Sequence, residues 1–297
     1  MKRYSAFSLI ELSIVILIIG ILIAGVLASS RLVAEMRLSV ARQLTQSSPV
    51  ASISDLVLWL EPTMENTFSN STGGNYTLYT NVIQPNDGDA IGLWNDYGMQ
   101  RTKNPAYQTN AGFRPKYSDQ AINNLPALKF TATDFSYMLN PLNINNLPDM
   151  TAFVVFSELS QPTKNCLLGN DNGGWDRFLC TRLDTNSNNG SASNGTGFVT
   201  VSNLNSVTTG IATIVMRSKV SSGSKVYVNG IDSATYTENF TAWGDANLWI
   251  GAIGSANSSK EFDGYIAEII IFQRALKNEE RIDIEKYLSK KWGIKIS

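Results

Sequence analysis

Near its N-terminus the chain carries an unbroken uncharged run, residues 12–30, and this constrains the protein more than any other feature. Those 19 residues would measure about 28 Å as a helix, close to the hydrocarbon thickness of a bilayer. Lys2 and Arg3 precede the run, so the N-terminus is expected to stay cytoplasmic while the rest crosses. Helical spacing continues beyond it. Val33, Met36, Val40 and Leu44 recur on one face, with Arg31, Glu35, Arg37 and Arg42 between them, until Pro49 ends the pattern. The expectation is one long helix, apolar in its first half and amphipathic in its second.

Glu11 breaks the apolar pattern at the edge of the run. An unpaired carboxylate in lipid costs roughly 3 kcal/mol or more, so an intramembrane acid calls for a partner. A cut before Phe7 would create a free amine four residues from Glu11. The amine of a neighbouring subunit could then neutralise that carboxylate.

The segment Phe7-Ser8-Leu9-Ile10-Glu11-Leu12-Ser13-Ile14-Val15-Ile16-Leu17-Ile18-Ile19-Gly20-Ile21-Leu22 resembles the N-terminus of type IV pilins and of type II secretion pseudopilins. The resemblance implies cleavage by a prepilin peptidase at the Ala6–Phe7 bond, N-methylation of Phe7 and subunit docking through Glu11. It departs from the family at Ala6, where glycine is usual. An ordinary secretory signal, cut after Val26-Leu27-Ala28, and a plain signal anchor are the alternatives. Neither accounts for Glu11 or for the amphipathic continuation.

Ser47-Ser48-Pro49-Val50-Ala51-Ser52 reads as a hinge. Beyond it the period becomes strand-like. Residues 56–60, 151–156, 211–216, 225–228, 247–251 and 264–272 read as strands, and Asn229-Gly230 as a hairpin turn. Many short strands separated by Gly, Asn and Ser imply an all-β sandwich or jelly roll. A short closing helix starts at Asn278 as its N-cap, with Glu279 and Glu280 in the first turn and Lys290 and Lys291 in the last. Ile284, Tyr287, Leu288 and Lys291 share one face of it, which is expected to plug the sandwich edge. The division is then a leader over 1–6, a pilin-type helix over 7–48 with its membrane part about 7–30, a hinge over 49–52 and a β-sandwich over 53–297.

The order of these pieces resembles the laminin-G-like jelly-roll branch of the concanavalin A-like lectin/glucanase superfamily. Leu56-Val57-Leu58-Trp59-Leu60, Leu93-Trp94-Asn95-Asp96-Tyr97-Gly98, Val226-Tyr227-Val228-Asn229-Gly230 and Phe262-Asp263-Gly264-Tyr265-Ile266-Ala267-Glu268 carry the resemblance, with Lys291-Trp292-Gly293 at the end. This fold hosts lectins, adhesins, scaffolds and hydrolases, so it does not decide activity.

Composition narrows the chemistry. The chain has no histidine and a formal net charge of −1. No His-dependent triad can form, and no global basic field invites nucleic acid. Glycosidases of this superfamily need two carboxylates together on one sheet face. Glu268 stands alone in its strand, and Asp283 and Glu285 fall in the closing helix, where their side chains diverge. An enzyme is therefore not expected.

Binding is the better reading. Gly169-Asn170-Asp171-Asn172-Gly173-Gly174-Trp175-Asp176 gathers oxygen ligands and an aromatic in one loop. Asp171, Asn172 and Trp175 are candidate ligands for a glycan, and calcium is a candidate ion there; a plain hairpin turn is the alternative. Trp243 is a weaker candidate, and residues 184–197 read as a polar, solvated loop. Cys166 and Cys180 flank a hairpin turning near Gly173, in a register that pairs 166 with 180 and 168 with 178 and permits a disulfide. Two free buried thiols are the alternative.

The expected protein is a minor pilin or pseudopilin displaying a lectin-like domain in the periplasm and then outside the cell. Its expected partners are the prepilin peptidase, other pilin subunits, the bacterial inner membrane and glycans. A membrane-tethered carbohydrate-binding protein outside any filament, and a glycoside hydrolase, are the alternatives.

Overall fold

The computed structural model describes residues 9–69, 82–160, 164–183, 189–195, 197–219, 221, 223–236, 238–254 and 260–297, with side chains except at 11, 27, 28, 30 and 31. In chain order the elements are α1 (Leu9–Gln46), β1 (Leu56–Leu60), β2 (Phe68–Ser69), β3 (Val82–Ile83), β4 (Leu93–Trp94), β5 (Ala106–Tyr107), β6 (Lys116–Ile122), β7 (Leu125–Phe130), β8 (Met138–Asn140) and β9 (Met150–Glu158). There follow β10 (Asn165–Gly169), β11 (Phe178–Arg182), β12 (Gly190–Ser193), β13 (Val199–Val201), β14 (Thr209–Met216), β15 (Lys225–Val228), β16 (Ile231–Thr235), β17 (Leu248–Ile250), β18 (Gly264–Phe272) and α2 (Asn278–Trp292).

The strands form two antiparallel sheets. The first runs β16-β15-β14-β9-β18-β7-β6, and β1 joins β18. β7 takes residues 264–266 of β18 and β1 takes 269–272, so the two lie end to end along one edge of it. The second sheet runs β13-β12-β11-β10-β17-β8-β5-β4-β2-β3. The expected jelly-roll sandwich with a short C-terminal helix is what forms.

Both faces of the central strands of the first sheet are buried, and this explains the near-continuous apolar runs of β9 and β18. Side chains of Leu58, Val154, Phe156, Ile269 and Ile271 point to the second sheet. Their alternates Trp59, Phe153, Val155, Ile270 and Phe272 point the other way, onto Ile284, Leu288 and Trp292 of α2 and Ala41 of α1. The helix α2 thus covers a sheet face rather than plugging an edge.

Local chemistry sets the turns. Asn229 and Gly230 have φ of 50° and 82° between β15 and β16, as a primed turn requires. Asn123 and Asn124, at φ 54° and 55°, make the same kind of turn between β6 and β7. Asn278 is the first helical residue of α2, not its cap; its Oδ1 accepts from Arg281 Nη2 at 2.7 Å. The first-turn carboxylate that matters is Glu280, which accepts from the Lys277 backbone N–H at 2.9 Å and from Arg274. Residues 190–193, expected within a solvated loop, form the buried strand β12. Its residues are Gly, Ser, Ala and Ser, too small to signal a strand; a Cβ at Gly190 would stand 2.7 Å from Leu204 Cβ.

Helix α1 runs for 38 residues. Every described side chain over residues 12–26 is exposed. Two of its hydroxyls turn inward to the helix backbone, Ser13 to the Ile10 carbonyl and Ser29 to the Gly25 carbonyl, which satisfies them without water. Among the described residues no helix is long and apolar enough to cross a membrane. The side chains of Leu27 and Ala28 lie outside the description, and residues 12–26 alone give about 22 Å of helix. The distal part of α1 docks on the sandwich. Arg37 donates to Asn123 Oδ1 at 3.1 Å and Arg42 to the Thr63 carbonyl at 2.8 Å. Residues 49–52, expected as a hinge, form a 3-10 turn with Val50 fully buried.

Candidate functional site

The loop between β10 and β11 holds the candidate ligand residues, and Asp171 organises it. Its Oδ1 accepts from the backbone N–H groups of Gly173 at 3.1 Å, Trp175 at 3.0 Å and Asp176 at 3.3 Å. Its Oδ2 takes the Lys260 ammonium at 3.0 Å. The Asp171 carboxylate is therefore spent on its own loop and on a cation from the neighbouring segment. It does not fit a calcium site, because an ammonium already occupies the place a metal would take. Among the described residues no group of three His, Cys, Asp or Glu side chains is placed to hold a metal ion.

What the loop presents outward is aromatic. Trp175 sits at φ 62°, a left-handed conformation uncommon for a bulky residue. Its indole is 40% exposed. The Phe198 ring lies 5.1 Å from it, Phe178 closes it from below at 6.1 Å, and Lys260 Nζ stands 5.3 Å from its centroid. The Trp175 carbonyl accepts from Ser193 Oγ at 2.7 Å, which ties the loop to β12. Asn172 donates its amide to the Trp243 carbonyl at 2.8 Å, so the segment carrying Trp243, 66% exposed, adjoins the same rim. Asn172 is thus a bridge between loops, and Trp175 with Phe198 and Trp243 is the exposed surface. The sequence does not point to Phe198 at this rim, because β11 and β12 separate it from Trp175 along the chain.

Buried polar groups underlie the rim. Asn170 donates to Asn145 Oδ1 at 2.9 Å and accepts Asp245 N–H on its carbonyl at 2.7 Å. Asn170 Oδ1 and Asp176 Oδ1 are buried acceptors without a donor. Burial pushes the Asp176 carboxyl above the usual range, and the like charges of Asp171 and Asp245 add to it. Beneath, the Arg177 guanidinium reaches Asn194 Oδ1 and the carbonyls of Ile144, Leu147 and Pro148, and stacks on Phe240 at 4.0 Å. Burial lowers its pKa to about 9.

The disulfide joins Cys166 and Cys180, whose Cα atoms are 3.8 Å apart. They are opposite one another in β10 and β11, but a bulge then shifts the register, so Leu168 faces Leu179 and not residue 178. The bridge packs with Phe178, Leu183 and Ile253 under the rim.

Glu268 has no second acid in its own strand, as read from the sequence, but a carboxylate from another segment stands beside it. It is Glu61, the residue that follows β1 after the Leu60–Ile269 pair. Lys291 lies between the two carboxylates, bonded to Glu61 and to Glu268 Oε2 at 2.9 Å. Trp59 and Trp292 indole N–H groups and the Tyr287 hydroxyl also donate to Glu268, at 2.7, 2.8 and 2.8 Å. All three ionic side chains have zero exposure. Two carboxylates here share a lysine and are sealed from any substrate. Asp283 is exposed and Glu285 buried against Thr213, so these two do diverge.

Ala6 and Phe7 lie outside the described residues, and Glu11 lies in α1 with its side chain not described.

Comparison with known proteins agrees with this architecture. Residues 1–27 match the prokaryotic N-terminal methylation motif, and residues 124–280 match the concanavalin A-like lectin/glucanases superfamily. No curated protein matches the chain. Among solved structures, Trypanosoma rangeli sialidase with a difluorinated nononic acid is 13% identical, with TM-score 0.51, over 89% of this chain and 39% of that one. The same sialidase with sialic acid is 14% identical, with TM-score 0.50, over 83% and 35%. Domain 4 of AbnA, an extracellular arabinanase of Geobacillus stearothermophilus, is 13% identical with TM-score 0.44, over 58% and 81%. The chain spans little more than a third of the sialidase's length, and at this identity the likeness is one of fold. With more than half of its length matched by the family and the sandwich formed as that family requires, the chain belongs to the concanavalin A-like lectin/glucanases superfamily and begins with a prokaryotic N-terminal methylation motif.

Proposed function

We propose that the protein is a minor pilin or pseudopilin that displays its lectin-like domain outside the cytoplasm and binds carbohydrate without cutting it. The observation that carries this is the methylation motif opening a helix whose distal half is built into the sandwich. Thr45 near the end of α1 accepts a bond from Lys291 at 2.8 Å, so an assembled helix would hold the domain at a set angle. The prepilin peptidase would cut at Ala6–Phe7, Phe7 would be methylated, and Glu11 would pair with the amine of an adjacent subunit. The rest of the chain would cross the inner membrane with its N-terminus cytoplasmic.

The Trp175 rim is the candidate carbohydrate surface, because an exposed indole offers a flat apolar face for a sugar ring beside polar groups. A non-catalytic role is supported by the sealing of the Glu61–Glu268 pair and by the lack of any histidine in the sequence. Assembly is tested with Glu11→Ala. It should leave membrane insertion intact and reduce incorporation into filaments or pseudopilus complexes, because the incoming amine would lack its counter-charge in lipid. Equal incorporation at matched expression would favour a tethered binding protein that never assembles.

A further inference from the structure

The rim at Trp175 is rich in acceptors and poor in available cations. Asp171, Asp176 and Asp245 bring three carboxyl groups to its two adjoining loops. The Lys260 ammonium is already bonded to Asp171. Arg177 is 1% exposed, and its guanidinium is taken up by carbonyls and by Asn194. Of the buried polar atoms left unpartnered under the rim and its adjoining segment, Asn170 Oδ1, Asp176 Oδ1 and Glu238 Oε2 are acceptors, and only the Thr241 hydroxyl can also donate. An anionic sugar would bring more acceptors and a like charge to this surface. A neutral sugar brings hydroxyl donors and an apolar ring face for Trp175 and Phe198.

We infer that this rim takes neutral, hydroxyl-rich glycans and turns away glycans bearing carboxylates, such as uronic or sialic acids; the inference rests on the carbohydrate-binding reading of the same site. The discrimination comes from Asp176 and Asp245 acting against a second anion, with Asp171 and Lys260 offsetting one another and no further cation among the described rim residues.

The test uses the full chain in detergent micelles and matched pairs of immobilised glycans, lactose against 3'-sialyllactose and galactan against polygalacturonate. The neutral member of at least one pair should be retained, with its acidic counterpart at least about tenfold weaker. Trp175→Ala should abolish the retention. Asp245→Asn, which keeps an acceptor for the Trp249 indole N–H, should narrow the gap between neutral and acidic partners. Acidic glycans held as tightly as neutral ones, through Trp175, would overturn the inference and leave the carbohydrate reading standing. A gap unchanged by Asp245→Asn would contradict its electrostatic cause. No retention of any glycan would sink the carbohydrate reading, and the inference with it.

Discussion

Two residues of one loop play opposite parts, and substitution separates them. Asp171 is 5% exposed and holds three backbone N–H groups and an ammonium. Charge-assisted bonds of this kind are worth roughly 1.5–3 kcal/mol each when their partners are left unmatched. Asp171→Ala should therefore lower stability by about 2–4 kcal/mol, read as a lower urea midpoint, and lose glycan binding because the rim collapses. Trp175→Ala should lose binding at a smaller cost of about 1–2 kcal/mol, since the residue is 40% exposed and only partly packed on Phe178 and Phe198. Adding a chelator should change neither midpoint. The reverse pattern, with Trp175 critical for stability and Asp171 for calcium-dependent binding, would make the loop a calcium site and Trp175 a core residue. The sequence offered Asp171, Asn172 and Trp175 as equal candidates. It could not show which side chain faces outward, because that depends on the positive φ of Trp175 and on Lys260, far along the chain.

At the scale of elements, the joint between α1, α2 and the first sheet rests on a buried ion triad. Two buried carboxylates brought together repel, and Lys291, bonded to both, makes Glu61 and Glu268 compatible. Lys291→Met should cost about 3–5 kcal/mol, because two buried carboxylates would face one another without a cation. Adding Glu61→Gln and Glu268→Gln to that variant should recover part of the loss. A Lys291→Met protein as stable as the parent would show that Lys291 does not hold the two carboxylates together. The apolar face of α2 placed Lys291 among core residues in the sequence, but its partners come from β1 and β18 and are invisible to local pattern. The strands themselves were more legible. β1 and β18 read directly as apolar runs because both sheet faces are covered. β2 to β5, at two residues each, are too short to show a period.

The N-terminus of α2 supplies a pH signature. The Arg274 guanidinium beside Glu280 holds its carboxyl down to about 2. A depressed folded pKa means that the stabilisation is complete above the ordinary value of 4.5 and is lost as pH falls toward about 2. Solvent screening limits it to about 1 kcal/mol at this partly open site. Glu280→Gln should be less stable than the parent at neutral pH, and the two midpoints should converge as pH falls through that window. A gap that persists to the acid end would assign the difference to the cap geometry alone.

On the scale of the whole molecule, a pilin-type start and a lectin-like sandwich share one continuous body, because α1 packs through Ala41 against the α2-covered face of the first sheet and bonds Lys291 through Thr45. The fold was legible from strand order and turn chemistry, and the start from Glu11 beside an uncharged run. The sheet partnering that seats α1 was not, since it depends on residues more than two hundred positions apart, such as Thr45 and Lys291. The central claim is that this body is a processed pilin subunit, and mass analysis of the N-terminal peptide of the membrane-extracted protein tests it most directly. The account predicts a chain that begins at Phe7 and carries one added methyl group on its amine. A mature chain beginning at Ser29 would show an ordinary signal peptide and contradict it.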